Sequence, residues 1–380
     1  LSDWTTRAAR LVDELTEAGK LRSPQWQEAF RGVPRHVFVP EYYQQDGGTW
    51  TAVSTDSPEG LDAVYANRAL FTDVDEHGRG VSSSSMPGLM ARMLEILDIH
   101  PGDRVLEIGT GTGYNAAILC SVLGDDNVYS IDIDYVDAAR RRLATVGFSP
   151  TLDTRDGVLG LPVGAPYDRI EATVAVSSVP YAWVQQVREG GLILVDLKIG
   201  TAAGNLVLLQ HDGYAAEGRF DGGYAAFMSM RHPSRVEPPT TPVNTNSLSA
   251  VTGVTRVPPK AWEKSVPWFL ASLSLPEGTT YGFTLDERYT PTATLFTSPD
   301  GSRATVLLDG EESLDGEGGA WQCEQSGPHR LWDEVERAYA LWWDFGQPSW
   351  ERFGLTVTPE TQTVWLDDPV QPAWSCPLPD

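Results

Sequence analysis

Cysteine is scarce in this chain. Its three cysteines, Cys120, Cys323 and Cys376, cannot supply a disulfide framework, and no two stand in a CxxC pair. That excludes a small disulfide-stapled scaffold, speaks against a structural zinc site and fits a reducing cytoplasm. Long apolar runs are also missing. No stretch approaches the roughly 18 consecutive apolar residues of a membrane-spanning helix, and the N-terminus opens on an amphipathic, charged stretch instead of a signal peptide. Positive charge is in short supply, with 28 Lys and Arg against 52 Asp and Glu, a formal net charge of −24. Phosphates would be repelled, so nucleic acid is not expected as a partner, whereas a basic peptide would be attracted. No HxxxH, CxxC or carboxylate cluster suggests a metal, and no GxSxG elbow suggests a hydrolase. The six histidines are scattered, and His36 and His77 fall in loops where a surface role is the simpler reading.

What the 380 residues do contain is an ordinary globular composition, 41% hydrophobic and 21% charged, at a length that suggests two domains. Leu11, Val12 and Leu15 mark one face of a helix over 3–18, and Ser23-Pro24 opens a second through about Phe30. The segment Val33-Pro34-Arg35-His36-Val37-Phe38-Val39-Pro40 is expected to be extended or looped. From Met86 helix and strand alternate: helices over 86–98, 113–123, 135–146 and 180–188, strands over 104–108, 127–131, 167–176 and 191–197. That rhythm implies a mostly parallel sheet with helices on both faces. His232 to Asn246 reads as a Pro- and Thr-rich linker. Beyond it, short runs over 280–285, 292–297 and 303–308, a Trp-rich helix over 328–345 and a hairpin over 353–366 form a second, α+β region. Within it, Trp332, Trp342 and Trp343 are expected to pack its own core.

The sharpest local signal is Glu107-Ile108-Gly109-Thr110-Gly111-Thr112-Gly113-Tyr114. A buried strand ends, a glycine-rich turn lets a ligand approach the backbone, and a helix N-terminus follows. The spacing is GxGxG, with Tyr114 where a dinucleotide fingerprint would carry its last glycine. An acid stands two residues before the first glycine, as in S-adenosylmethionine-binding methyltransferases. The next strand ends at Asp132, about 20 residues on, where an acid can accept from ribose hydroxyls. Asp156-Gly157 follows a third strand and is placed to meet an adenine amino group; taken alone it would be a surface turn.

Three features together resemble the protein-L-isoaspartate O-methyltransferase family over about residues 20–232. The first is Val33 to Pro40, matching VPRxxFVP. The second is Tyr65-Ala66-Asn67-Arg68-Ala69-Leu70 followed by Ser83-Ser84-Ser85-Met86-Pro87 in place of Thr-x-Ser-x-Pro. The third is Leu106 to Asn115 with Ala165-Pro166-Tyr167-Asp168 and Gly190-Gly191-Leu192. The resemblance implies an α/β, Rossmann-like, S-adenosyl-L-methionine-dependent methyltransferase, to which the residues beyond the match add a smaller α+β C-terminal domain. Its parts would be an N-terminal helical and substrate-side segment (1–80), the cofactor-binding core (81–232), a linker (233–246) and a C-terminal domain that binds peptide (247–380). Glu107, Gly109, Thr110, Gly111, Gly113, Asp132, Asp156 and Gly157 would bind the cofactor. Ser85, with Ser83, falls on the family's catalytic positions. The partner would be a peptide, with no nucleic acid, membrane or metal, in the cytoplasm; the oligomeric state is left open.

The chain departs from the family in an acidic stretch before the serines (Asp73, Asp75, Glu76), in the serine run itself, and in Val176-Ser177-Ser178-Val179-Pro180. With the added C-terminal region, it looks like actinobacterial homologues associated with ribosomally made, modified peptides such as graspetides and lanthipeptides. There, methylation of an Asp side chain leads to a succinimide (aspartimide) and onward to isoaspartate. Repair of isoaspartate in damaged proteins remains the alternative, and a non-catalytic peptide-binding adaptor is a third reading.

Overall fold

The computed structural model describes residues 4–232, 250–312 and 319–379. The first helix spans Trp4–Glu17 and buries Leu11, Val12 and Leu15; the second, Pro24–Gly32, buries Trp26 and Phe30. The VPRxxFVP segment is not wholly extended. Arg35–Phe38 forms one helical turn, closed by the Val39 N–H on the Arg35 carbonyl at 3.0 Å. Each proline restrains only the residue before it, and the fixed φ of Pro34 suits a helix start, so the four residues between are free to turn.

Sequence periodicity did not disclose the next unit. Glu41–Asp46, Thr49–Ser54, Leu70–Val74 and Gly80–Ser84 form a four-stranded antiparallel sheet, ordered second, first, third, fourth. Its strands alternate weakly, because most of their side chains are exposed or half-buried.

The main sheet has ten strands. Thr151–Thr154, Val128–Asp132, Val105–Ile108, Tyr167–Val176 and Val187–Gly200 lie side by side and pair in parallel, as expected of a Rossmann-like core. The sheet then continues antiparallel through Ala203–His211, Ala216–Phe220, Phe353–Val357, Gln362–Leu366 and Trp374–Pro377. A parallel neighbour needs a crossover of a dozen residues or so. The short turns at Ala202 (φ 54°) and Gly213 (φ 102°) leave no room for one, so the chain folds back as hairpins.

The division expected at residue 247 therefore does not separate two sheets, since 353–377 completes the main one. The remainder of the C-terminal region is a second sheet, Val251–Thr255, Thr280–Leu285, Pro291–Thr297, Arg303–Leu307 and Gly319–Ser326 with the short Glu311–Glu312. Helices Ser265–Ser272 and Leu331–Asp344 join it to the rest. One continuous core contains Val195, Val207 and Phe220 of the main sheet together with Phe269, Phe296, Val306 and Trp332. Trp332 is buried in it. Trp342 is half-buried and donates to the Pro348 carbonyl at 3.0 Å, and Trp343 is 47% exposed. The three tryptophans thus do not share one role. The linker expected over 233–246 lies outside the described residues.

Candidate functional site

Strand Val105–Ile108 is buried throughout and runs directly into the glycine turn. Gly109, Gly111 and Gly113 all adopt positive φ (101°, 50° and 87°), where side chains are disfavoured. A Cβ on Gly109 would fall 2.8 Å from Thr173 Oγ1 and 2.9 Å from Val174 Cγ1, and one on Gly113 would fall 3.1 Å from the Ala139 Cβ. At Gly111 the nearest atoms are 3.9 Å away, so its backbone is the open one. Backbone N–H groups of Gly109 and Thr110 donate to the Ile131 carbonyl at 2.8 and 3.1 Å, drawing the turn against the neighbouring strand. That strand ends in Asp132, whose Oδ2 accepts from the Gly111 N–H at 2.8 Å.

Beneath the turn lies a polar cluster. Glu107 is 1% exposed and accepts from Ser130 Oγ and, at 2.9 Å, from Asn115 Nδ2. The same Asn115 nitrogen donates to Glu171 at 3.0 Å. Burial pushes the Glu107 carboxyl up to about 8, against the opposing pull of its Ser130 and Asn115 hydrogen bonds, and Glu171 up to about 7. Thr110 Oγ1 lies 2.6 Å from Ser130 Oγ. Glu107 lines the cavity described below, but its oxygens are committed to Ser130 and Asn115.

The serine run faces the turn from the other side. Strand geometry alternates its side chains. Ser82 and Ser84 point inward, where Ser82 Oγ accepts from Thr72 and Ser84 Oγ from Arg35 at 3.2 Å. Ser83 and Ser85, the latter just past the end of the strand, are half-buried. Arg35, fully buried, is the clamp beneath them. Its guanidinium donates to the carbonyls of Ser85 at 2.9 Å and Val64 at 2.6 Å, and burial lowers its pKa to about 10, so it stays a cation at neutral pH.

Between turn and serines is a cavity of about 540 Å³, a size suited to a cofactor. It is lined by Ser82 to Ser85, Glu107, Gly109 to Thr112, Asp132, Tyr135, Gly157 and Thr173, and closed by the strap Tyr224 to Arg231. The strap is pinned on Asp196, whose Oδ2 accepts from the Phe227 N–H at 2.8 Å, and on Lys198, which donates to the Phe227 carbonyl. Its Met228 and Met230 bond the Ala175 backbone at 2.8 and 2.7 Å. Nine of the ten expected site residues are near this space: Ser83, Ser85, Glu107, Gly109, Thr110, Gly111, Asp132 and Gly157 line it, and Gly113 closes the turn. Asp156 differs. It lies outside the lining, accepts from the Val158 N–H of its own turn at 3.0 Å and faces His232 Nδ1 at 3.2 Å. Gly157 lines the cavity instead, held by Trp183 Nε1 donating to its carbonyl at 2.8 Å.

No sequence signal pointed to the strap, Tyr135 or Thr173, and Asn115 stood at the end of the segment Leu106 to Asn115 without an assigned role. Arg35 stood inside the VPRxxFVP motif, and the pair of prolines around a buried-looking Val-Phe was the available hint. Among the described residues no group of three or more His, Cys, Asp or Glu is placed to hold a metal. No helix among them is long and apolar enough to cross a membrane.

Comparison with known proteins agrees with this geometry. The family model for protein-L-isoaspartate(D-aspartate) O-methyltransferase matches residues 6–216. A protein-L-isoaspartate O-methyltransferase of Aeropyrum pernix is 32% identical over 193 residues, covering 50% of this chain and 65% of that protein. Protein-L-isoaspartate O-methyltransferase 2 of Archaeoglobus fulgidus is 30% identical over 234 residues, covering 60% of this chain and 94% of the relative. A solved structure of a protein-L-isoaspartate O-methyltransferase superposes with a TM-score of 0.56 at 22% identity, covering 95% of this chain and 100% of that one. That superposition extends over nearly the whole chain, the C-terminal region included, and shows a shared fold. The chain belongs to the protein-L-isoaspartate(D-aspartate) O-methyltransferase family, whose members are S-adenosyl-L-methionine-dependent carboxyl O-methyltransferases.

Proposed function

We propose that this chain esterifies a carboxylate of a peptide, using S-adenosyl-L-methionine, and that the acceptor is an Asp side chain of a ribosomally made precursor. The observation that carries the reaction type is one cavity lined both by the glycine turn with Asp132 and by Ser83 and Ser85. The residues present fit the cofactor. Gly111 leaves its backbone open where a Cβ would intrude on a ligand, and Asp132 stands at a strand end beside it. Gly109 to Gly113 would hold the methionine end and Asp132 the ribose, with Glu107 acting through Ser130 and Asn115 to stiffen the floor. Gly157 would lie at the adenine end. Bound there, the cofactor supplies an electrophilic methyl group on a sulfonium.

A carboxylate has a reference pKa of about 4 and is an anion at neutral pH. No general base is needed, which suits a cavity without a His–acid dyad on its walls. The chain's task is orientation and exclusion of water. Ser85 and Ser83 donate to one acceptor oxygen and leave the other free. Arg35 fixes the strand that carries them. The ester formed is a better acyl electrophile, so the following backbone nitrogen closes a five-membered succinimide with loss of methanol.

The acidic hairpin and the net charge of −24 favour a basic, selected peptide over many damaged sites. Repair of isoaspartate is the second reading, supported by relatives at 30% identity or more that are named protein-L-isoaspartate O-methyltransferases. A direct comparison separates them: the full chain with cofactor, offered an isoaspartyl peptide, its aspartyl counterpart, and any candidate precursor peptide encoded by a neighbouring gene. Loss of one water from an Asp of the encoded peptide is the expected result. Methylation confined to the isoaspartyl peptide would establish repair.

A further inference from the structure

The acidic stretch before the serines has no part in the reaction as described, yet one of its residues reaches the cofactor side. Asp75 folds its own turn, accepting from the N–H groups of His77 and Arg79. Asp73 does something else. Tyr135 Oη donates to Asp73 Oδ2 at 2.9 Å. Asp73 stands opposite Ser82 on the serine hairpin, and the register slips on both sides of it. Such bulges re-aim a side chain out of the ladder. Tyr135 lines the cavity three residues past Asp132, and its ring lies under the Arg231 guanidinium, 5.2 Å from the ring centroid. Arg231 in turn pairs with Asp134 at 2.6 Å. Hairpin, cofactor-side loop and strap therefore meet at one phenol.

We propose that Tyr135 and Asp73 are positioning residues: their hydrogen bond is the joint that sets the serine strand against the cofactor wall, fixing how the acceptor carboxylate meets the transferable methyl group. Burial and the neighbouring Asp73 push the Tyr135 phenol up to about 12, so it remains a donor at working pH. The joint rests on the methyl-transfer reading above. Rate falls steeply when reacting atoms are misplaced by an ångström or so, while each substrate keeps its own contacts. Hence kcat should move and affinities should not.

The test is a double-mutant cycle of Tyr135→Phe and Asp73→Ala, with Asp73→Asn as the conservative variant, measuring kcat, peptide KM and calorimetric cofactor Kd. Each single change is expected to lower kcat roughly tenfold or more, as for loss of a hydrogen bond to a charged group. KM and Kd should stay within about twofold, the double variant should be no worse than either single, and Asp73→Asn should recover most of the loss. Unchanged kcat in Tyr135→Phe, multiplicative losses in the double variant, or a loss carried wholly by Kd would each overturn the joint. Amide hydrogen exchange over residues 70–84 provides a readout that needs no acceptor: Tyr135→Phe should speed it, and equal exchange refutes the joint. A parent protein that binds cofactor but methylates no peptide would instead sink the function proposed above.

Discussion

The two walls of the cavity are built in different ways. The cofactor wall is local and heavily bonded. Gly109 to Gly113, Asp132 and the Glu107–Ser130–Asn115 cluster come from two adjacent parallel strands and the helix between them. The acceptor wall is composite. Arg35, the hairpin 70–84 and the strap 224–231 are far apart in sequence and converge only in the fold, with the hairpin held to the cofactor wall through Tyr135. A methyl donor is the same in every turnover, so one short motif suffices to cradle it. An acceptor peptide differs from enzyme to enzyme, and a wall assembled from several segments can be altered piece by piece without disturbing the cradle.

The largest expected effect tests whether the site-bearing half stands alone. Ending the chain at residue 232 strips Phe353–Val357 from Ala216–Phe220 and uncovers Val207 and Phe220. Loss of cooperative thermal unfolding is expected, because the core is continuous across the division. A soluble fragment with a sharp Tm would show the two regions to be independent.

Next in size, Asp132→Ala should weaken S-adenosyl-L-methionine binding by about 1.5–3 kcal/mol, the range for hydrogen bonds to a charged group, while the same change leaves peptide KM nearly untouched. Calorimetry and initial rates measure the two. An equal rise in both would erase the distinction between the walls.

A third effect is a pH slope, at most about 1.4 kcal/mol per pH unit for one group. Burial pushes the Glu107 carboxyl up from its ordinary 4.5 to about 8 in the fold. Between those values the folded state holds a proton that the unfolded state has released. Stability from this group is therefore full below about 4.5 and falls as pH rises toward 8. Glu171, raised to about 7, adds in the same direction. Glu107→Gln should flatten the slope of unfolding free energy between pH 5 and 8, followed by denaturant titration. An unaltered slope would mean that the buried carboxyl is ionised in the fold.

Legibility in the sequence follows the same contrast. The parallel strands and the glycine turn were readable because burial on both faces gives continuous apolar runs, and positive φ demands glycine at fixed spacing. Asp132 was readable because it ends such a run. The sheet over 41–84 was not, since its exposed strands lack a clean period-two pattern. Tyr135 gave no signal, because its partner Asp73 lies 62 residues away. The continuation of the main sheet by 353–377 was equally hidden: a hairpin is visible in sequence, but its neighbour is not. Asp156 was placed by spacing alone, which gives its position beside Gly157 but not its partner His232, 76 residues away.

Whether Ser83 and Ser85 serve the acceptor is the central question, and one comparison addresses it. Ser85→Ala and Ser83→Ala are each measured for cofactor Kd by calorimetry and for methyl transfer to the accepted peptide. Ser85→Ala is expected to lower kcat roughly ten- to a hundredfold, the worth of a hydrogen bond to a charged group, with Kd unchanged and Ser83→Ala less severe. Full turnover in both variants, or a loss that follows cofactor affinity, would contradict an acceptor role for the serines.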